Sequence, residues 1–271
     1  MRLGGTRSSS NVQDARGSRG KVALSGGAIV VVIVISALTG INPLTLLGQM
    51  QGPPSSSSSS APPPADDESA TFVSQVLATT EDTWHRLLPG YREPKLVLFR
   101  ESVDSACGFA TAAVGPFYCP LDEKAYLDLT FFDDLARRFG APGDFAAAYV
   151  IAHEIGHHVQ KLDGTGARVH ASRDNQGATS QAVRLELQAD CYAGVWAFDA
   201  NKRGLLEVGD VDEALKAAHQ IGDDTLQKRG RGRVTPDSFT HGTAVQRSRW
   251  FKTGLASGDP RRCDTFSAAS L

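Results

Sequence analysis

Hydrophobic and polar positions divide the 271-residue chain into a polar start, one unbroken apolar run, a low-complexity stretch and a long mixed region. Residues 1–21 are rich in Ser, Gly and Arg and read as a disordered, solvated basic tail. Residues 22–40 are uncharged and dominated by Val, Ile, Ala and Leu. As an α-helix they match a bilayer core of ~30 Å, which predicts a transmembrane helix. Residues 41–65 include GPPSSSSSSAPPP and read as an extended, flexible linker. The last region, residues 66–271, carries alternating helical and strand patterns and is long enough for one domain with its own core.

Within that region, Phe72, Val76, Leu77, Trp84 and Leu87 fall on one side of a helix over 66–88, ended by Pro89-Gly90. Strands are predicted at 95–99 and 125–129, with a hairpin in 107–118 turning at Gly115-Pro116. A helix follows over 130–139. The sharpest pattern is 143–163, where Phe145, Ala148, Tyr149, Ala152, Ile155 and Val159 repeat at helical spacing behind Asp144, a good N-cap residue. A polar loop is expected at 164–177, then a long helix over 180–202 with Val183, Leu187, Cys191, Gly194, Val195 and Phe198 as its stripe. Helices over 210–227 and 243–254 close the chain, the latter carrying Trp250 and Phe251.

The 143–163 helix contains His153-Glu154-Ile155-Gly156-His157, an H-E-x-x-H sequence. Residues i and i+4 share a helix face, so both imidazoles can converge on one metal ion, and two neutral imidazoles suit Zn²⁺. Glu154 then stands beside the metal as a general base. A catalytic zinc needs a third protein ligand. Glu186 and Asp190 lie one helical turn apart within an otherwise apolar stretch, where an unpaired carboxylate is costly. Glu186 is the expected third ligand, and Asp190 the acceptor that fixes a ligand imidazole in its outer shell. His241, at the entry to the last helix, is a candidate for stabilising an oxyanion, with capping or core packing as the alternative. His158 is offset by one helical step and reads as packed. His85, His170 and His219 show no partner pattern.

Charge and cysteine usage add a location. Five basic residues and one acid precede the apolar run; 23 basic and 29 acidic side chains follow it. The mildly acidic domain argues against nucleic-acid binding. The basic flank places the N-terminus in the cytoplasm and the domain outside, with the bilayer as a partner through residues 22–40. No A-x-A site follows the run, which favours an uncleaved anchor over a signal peptide. Four cysteines in the domain suggest two disulfides in an oxidising compartment. Cys107–Cys119 is the local, hairpin-like choice, with Cys191–Cys263 tying the C-terminus to a core helix; four buried thiols are the alternative.

These residues together resemble the neutral zinc metallopeptidase family, single-pass membrane proteins of the gluzincin type. The resemblance rests on GPFYCP at 115–120, YLDL at 126–129, the run 143–160, ELQADCYAGVW at 186–196, IGDD at 221–224 and SFTHGTAVQR at 238–247. Glycine runs that the family carries near the N-terminus are replaced here by Ser and Arg. The order of helix, small sheet and metal helix also resembles the upper lobe of a zincin protease, where an edge strand pairs with substrate backbone. The resemblance implies an α+β, zincin-like, mainly helical domain that hydrolyses a peptide or protein substrate with zinc. Two rival readings stand beside it: a surface protein that holds zinc for folding only, and a zinc amidase acting on cell-wall peptides.

Overall fold

The computed structural model describes residues 1–17, 67–172 and 174–271; the expected transmembrane helix and linker lie outside them. Among the described residues no helix is long and apolar enough to cross a membrane. The architecture is mixed α+β, mainly helical with a small sheet. In chain order the elements are β1 (Val12–Asp14), α1 (Glu68–Leu87), β2 (Lys95–Phe99), β3 (Ser102–Ser105), β4 (Gly108–Thr111), β5 (Phe117–Cys119), β6 (Lys124–Asp128), α2 (Thr130–Arg137), α3 (Asp144–Leu162), α4 (Thr165–Ser172), α5 (Gln181–Lys202), α6 (Asp210–Gln220), α7 (Asp223–Arg231) and α8 (Ala244–Ser257).

The main sheet has the order β1-β2-β6-β5, with β1, β2 and β6 parallel and β5 antiparallel on β6. Strands β3 and β4 form a separate antiparallel hairpin. Its turn is at Ala106-Cys107, not at the expected Gly115-Pro116, and the Cys107–Cys119 disulfide ties it to β5. The Cys191–Cys263 disulfide joins α5 to the C-terminal segment, as expected.

Helix α3 lies at the centre and is buried along most of its length. Phe145 stacks on Trp196 of α5 with ring centroids 5.5 Å apart, and Tyr149 meets Phe251 of α8 edge-on at 5.4 Å. Gly156 sets how closely α3 and α5 approach: a Cβ there would lie 3.0 Å from the Ala189 carbonyl oxygen. A larger residue would push apart the two helices that carry the motifs.

Four further local expectations are corrected. Residues 1–17 are not a disordered tail: Leu3 and Val12 are buried in the core and β1 completes the sheet. The N-cap of α3 is Gly143, at φ +124°, instead of Asp144; the Glu213 carboxylate of α6 accepts the Phe145 N–H in place of a local cap. The expected loop at 164–177 contains α4. The expected helix over 210–227 is two helices, α6 and α7, broken at Ile221-Gly222.

Candidate metal centre

His153, Glu154 and His157 are carried by α3, and Glu186 and Asp190 by α5, whose approach faces the two motifs at one level. The Nε2 atoms of His153 and His157 lie 3.3 and 3.5 Å from the two carboxylate oxygens of Glu186. One ligand atom from each of the three residues falls within 4.8 Å of the others. Donors about 2.0–2.2 Å from a common tetrahedral centre are ~3.3–3.6 Å apart, and two imidazoles with one carboxylate are a zinc donor set. The residues present therefore fit a zinc ion.

Behind the donors, each histidine is held by its other nitrogen. His153 Nδ1 lies 2.9 Å from Asp190 Oδ1, which also accepts the Tyr149 hydroxyl at 2.5 Å. Arg247 of α8 forks onto the same carboxylate, Nε to Oδ2 and Nη2 to Oδ1, both at 2.9 Å. His157 Nδ1 lies 2.9 Å from Gln160 Oε1, and the Gln160 amide donates to the Leu185 carbonyl at 2.7 Å and to Gln188 at 3.0 Å. With both Nδ1 atoms so engaged, both Nε2 atoms face Glu186.

Electrostatics follow from burial and pairing. Burial opposes the charged forms of both histidines, but Asp190 and Glu186 outweigh it and hold His153 up to about 10, with His157 also raised. Against its own burial, Asp190 is lowered to about 2 by Arg247 and His153. Glu186 is likewise lowered, by His157 and then His241. In the metal-free site these carboxylates therefore favour the protonated imidazoles, and a cation competes with those protons.

Glu154 is half-buried at a cavity of about 1050 Å³ that also exposes His153, His157, Glu186 and His241. Among the described residues nothing donates a hydrogen bond to its carboxylate. Apolar Val114, Phe131, Phe139 and Leu226 line the cavity, as do Phe117 and Tyr118 of edge strand β5. His241 sits on the loop before α8. Asp223 builds that loop: its Oδ2 accepts the backbone N–H of Thr240, His241 and Gly242 at 2.7, 2.7 and 3.1 Å. Its Oδ1 lies 3.4 Å from His241 Nδ1. The His241 side chain is half exposed, and its pKa is raised by Glu186 first and Asp223 next, against the opposing effect of burial.

A family model described as "Putative neutral zinc metallopeptidase" matches residues 1–266. The chain belongs to this neutral zinc metallopeptidase family. Relatives include the uncharacterized protein YpfJ of Escherichia coli (strain K12), 47% identical over 98% of this chain and 99% of the relative. The uncharacterized protein Rv2575 of Mycobacterium tuberculosis (strain ATCC 25618 / H37Rv) is 47% identical over 73% of this chain and 71% of its own. No solved structure matches. The structure brings together all six residues singled out in the sequence: His153, Glu154, His157, Glu186 and Asp190 at one point, and His241 on the same cavity. His158 is packed away as expected, between the Tyr118 hydroxyl at 2.8 Å and the Arg92 carbonyl at 2.6 Å. Tyr149, Gln160, Asp223 and Arg247 were not assigned site roles from sequence. Arg247 carried a signal, since Trp250, Phe251 and Gly254 follow it at i+3, i+4 and i+7 on the buried face of α8.

Proposed function

We propose that this metallopeptidase-family chain hydrolyses peptide bonds with zinc held by His153, His157 and Glu186, in a zincin-like domain. The observation that carries this reading is the Glu154 carboxylate, unpartnered among the described residues, beside a converging His/His/Glu donor set on an open cavity. When bound, zinc polarises the scissile carbonyl and lowers the pKa of water towards ~7. Glu154 takes the proton of the attacking water and hands it to the leaving amine. His241, held by Asp223, donates to the developing oxyanion, which has charge for an imidazolium to meet. The edge strand β5 offers free backbone groups to an extended substrate, and the apolar lining residues offer side-chain contacts. Three protein ligands with an adjacent free acid support catalysis over a folding-only zinc, for which four ligands are usual.

The two disulfides support an oxidising compartment for the domain, and residues 22–40 support association with a lipid bilayer. The test of the enzymatic reading is cleavage of a peptide library by the full chain with and without zinc chelation. Cleavage lost on chelation and restored by zinc is expected. Tight zinc binding with no cleavage of any peptide would favour the folding-only role.

A further inference from the structure

Helix α7 borders two cavities. Its Leu226 lines the cavity of the metal centre, and its Lys228 and Arg229 line a separate cleft of about 560 Å³. The helix runs out through Lys228-Arg229-Gly230-Arg231-Gly232-Arg233, and all four cations are exposed. On α2, by contrast, the arginines have carboxylate partners: Arg138 with Asp134 at 2.9 Å and Arg137 with Asp133 at 4.0 Å. Lys228, Arg229, Arg231 and Arg233 have no ion pair among the described residues. Asp224 shares their cleft, but it accepts the Ala244 N–H at 2.8 Å and reaches none of them.

Arg229 is nevertheless held in place. It donates to the Arg138 carbonyl at 3.4 Å and to the Gln220 side-chain oxygen, both neutral acceptors. Its guanidinium carbon lies 5.8 Å from the ring centroid of Phe139, which lines the metal-centre cavity. A guanidinium fixed by neutral groups keeps its charge for a ligand. Three of the four cations stand in the last turn of α7, where they suit the helix dipole. A helix end carries only about half a unit of negative charge, so most of the positive charge is left over, and Arg233 lies past the helix.

We infer that Lys228, Arg229, Arg231 and Arg233 form a docking strip for an acidic segment of the polypeptide whose neighbouring residues occupy the metal-centre cavity. This rests on the reading of that cavity as a peptide site, and adds a substrate class: polypeptides with clustered Asp or Glu to one side of the cleaved bond. Position favours such an occupant. Leu226, in the cavity, is three residues from Arg229 on the same helix, and Phe139 joins Arg229 to the cavity from the other side. The domain's excess of acids, 29 against 23 basic side chains, disfavours a nucleic acid and confines the attraction to this strip.

The test is equilibrium binding of fluorescein-labelled peptides to the zinc-loaded full chain carrying Glu154→Gln. The peptides share an apolar centre and carry four Glu or four Gln, placed before it or after it. For one of the two placements the Glu peptide should bind about 10-fold tighter than its Gln twin, the lower end of what a focused charge supplies. The preference should fade as salt rises from about 0.05 to 0.5 M. It should also fade in the triple variant Lys228→Gln, Arg231→Gln, Arg233→Gln, which leaves the contacts of Arg229 intact, and further when Arg229→Gln is added. Equal binding of the twins in both placements, or a preference that survives all four substitutions, would overturn the inference. Equal binding of the twins together with capture of the unsubstituted chain, but not the triple variant, on phosphatidylglycerol vesicles would overturn it in favour of a lipid surface. In the active chain the Glu twin should show the lower KM at similar kcat. Cleavage of both twins with equal KM would contradict this inference alone; a charge-dependent preference in binding with neither twin cleaved would uphold the strip and contradict the peptidase reading.

Discussion

Among the described residues, the carboxylates of Asp190 and Glu81 are both fully buried, and their surroundings differ. Asp190 is satisfied by Tyr149, His153 and Arg247, two of them one and two turns along the helix that bears the H-E-x-x-H sequence. Glu81 is satisfied by Arg7, Ser9 and Asn11, some seventy residues earlier in the chain. Both are inside because both have donors; burial alone says nothing of catalysis. What separates them is what the donors do next. At Asp190 one donor is an imidazole whose far nitrogen faces a cavity and a second carboxylate. At Glu81 the donors end in a strand and the ionic network behind it, with no converging ligand set.

The largest effect expected is at Glu81. The domain lacking residues 1–17 should lose about 3–5 kcal/mol, the scale of leaving one buried charge unpaired, read as the urea midpoint of zinc-loaded protein. A midpoint unchanged from the full chain would mean that the segment is an accessory. At the other carboxylate the effect should appear in metal affinity. Arg247→Met should weaken zinc binding by about 10- to 100-fold, as changes behind a ligand histidine do. Asp190→Asn should do the same. The double variant should cost little more than either single one, because no lone charge is left in the core. Chelator competition measures all three. Fully additive losses, or a zinc affinity unmoved by Arg247→Met, would make Arg247 a packing residue only.

Smaller still is a pH effect. His153 has its pKa raised to about 10 from 6.5 in the metal-free fold. A raised pKa contributes stability that is complete below the unfolded value and lost as pH climbs through the folded one. Metal-free protein should therefore lose stability between pH 6.5 and about 10, and zinc affinity should rise over the same window as the competing proton leaves. Melting curves of zinc-free and zinc-loaded protein at pH 7 and pH 9 check this. The zinc-free form should fall more; equal falls would place the proton elsewhere.

The difference between the two carboxylates also marks what the sequence made legible. His153, Glu154, His157, Glu186 and Asp190 were readable because each lies on a long helix with an apolar stripe, so 3.6-residue spacing fixes their faces. Segment 1–17 was not, because its polar composition reads as solvated and its partners are remote in sequence. Helix α4 was missed for a related reason: Gly164 and Gly166 and its polar residues mask a single pair of buried positions, Thr165 and Val169. The break between α6 and α7 is set by tertiary demand, since Asp223 and Asp224 must reach the backbone of Thr240, His241, Gly242 and Ala244. Gly115-Pro116 is a strong turn signal that the fold uses outside the hairpin, in the segment entering β5.

Catalysis by this site depends most directly on Glu154. Its carboxylate lies between His153 and His157, the proposed zinc ligands, with no donor among the described residues, so its removal should cost chemistry and little else. Glu154→Gln should keep zinc content at the parent's level and melt within a few degrees of it, while turnover of a cleaved library peptide falls by about 10²-fold or more, the scale of a lost general base. Turnover equal to the parent's at full zinc occupancy would contradict the assignment of Glu154 as the base and, with it, the mechanism.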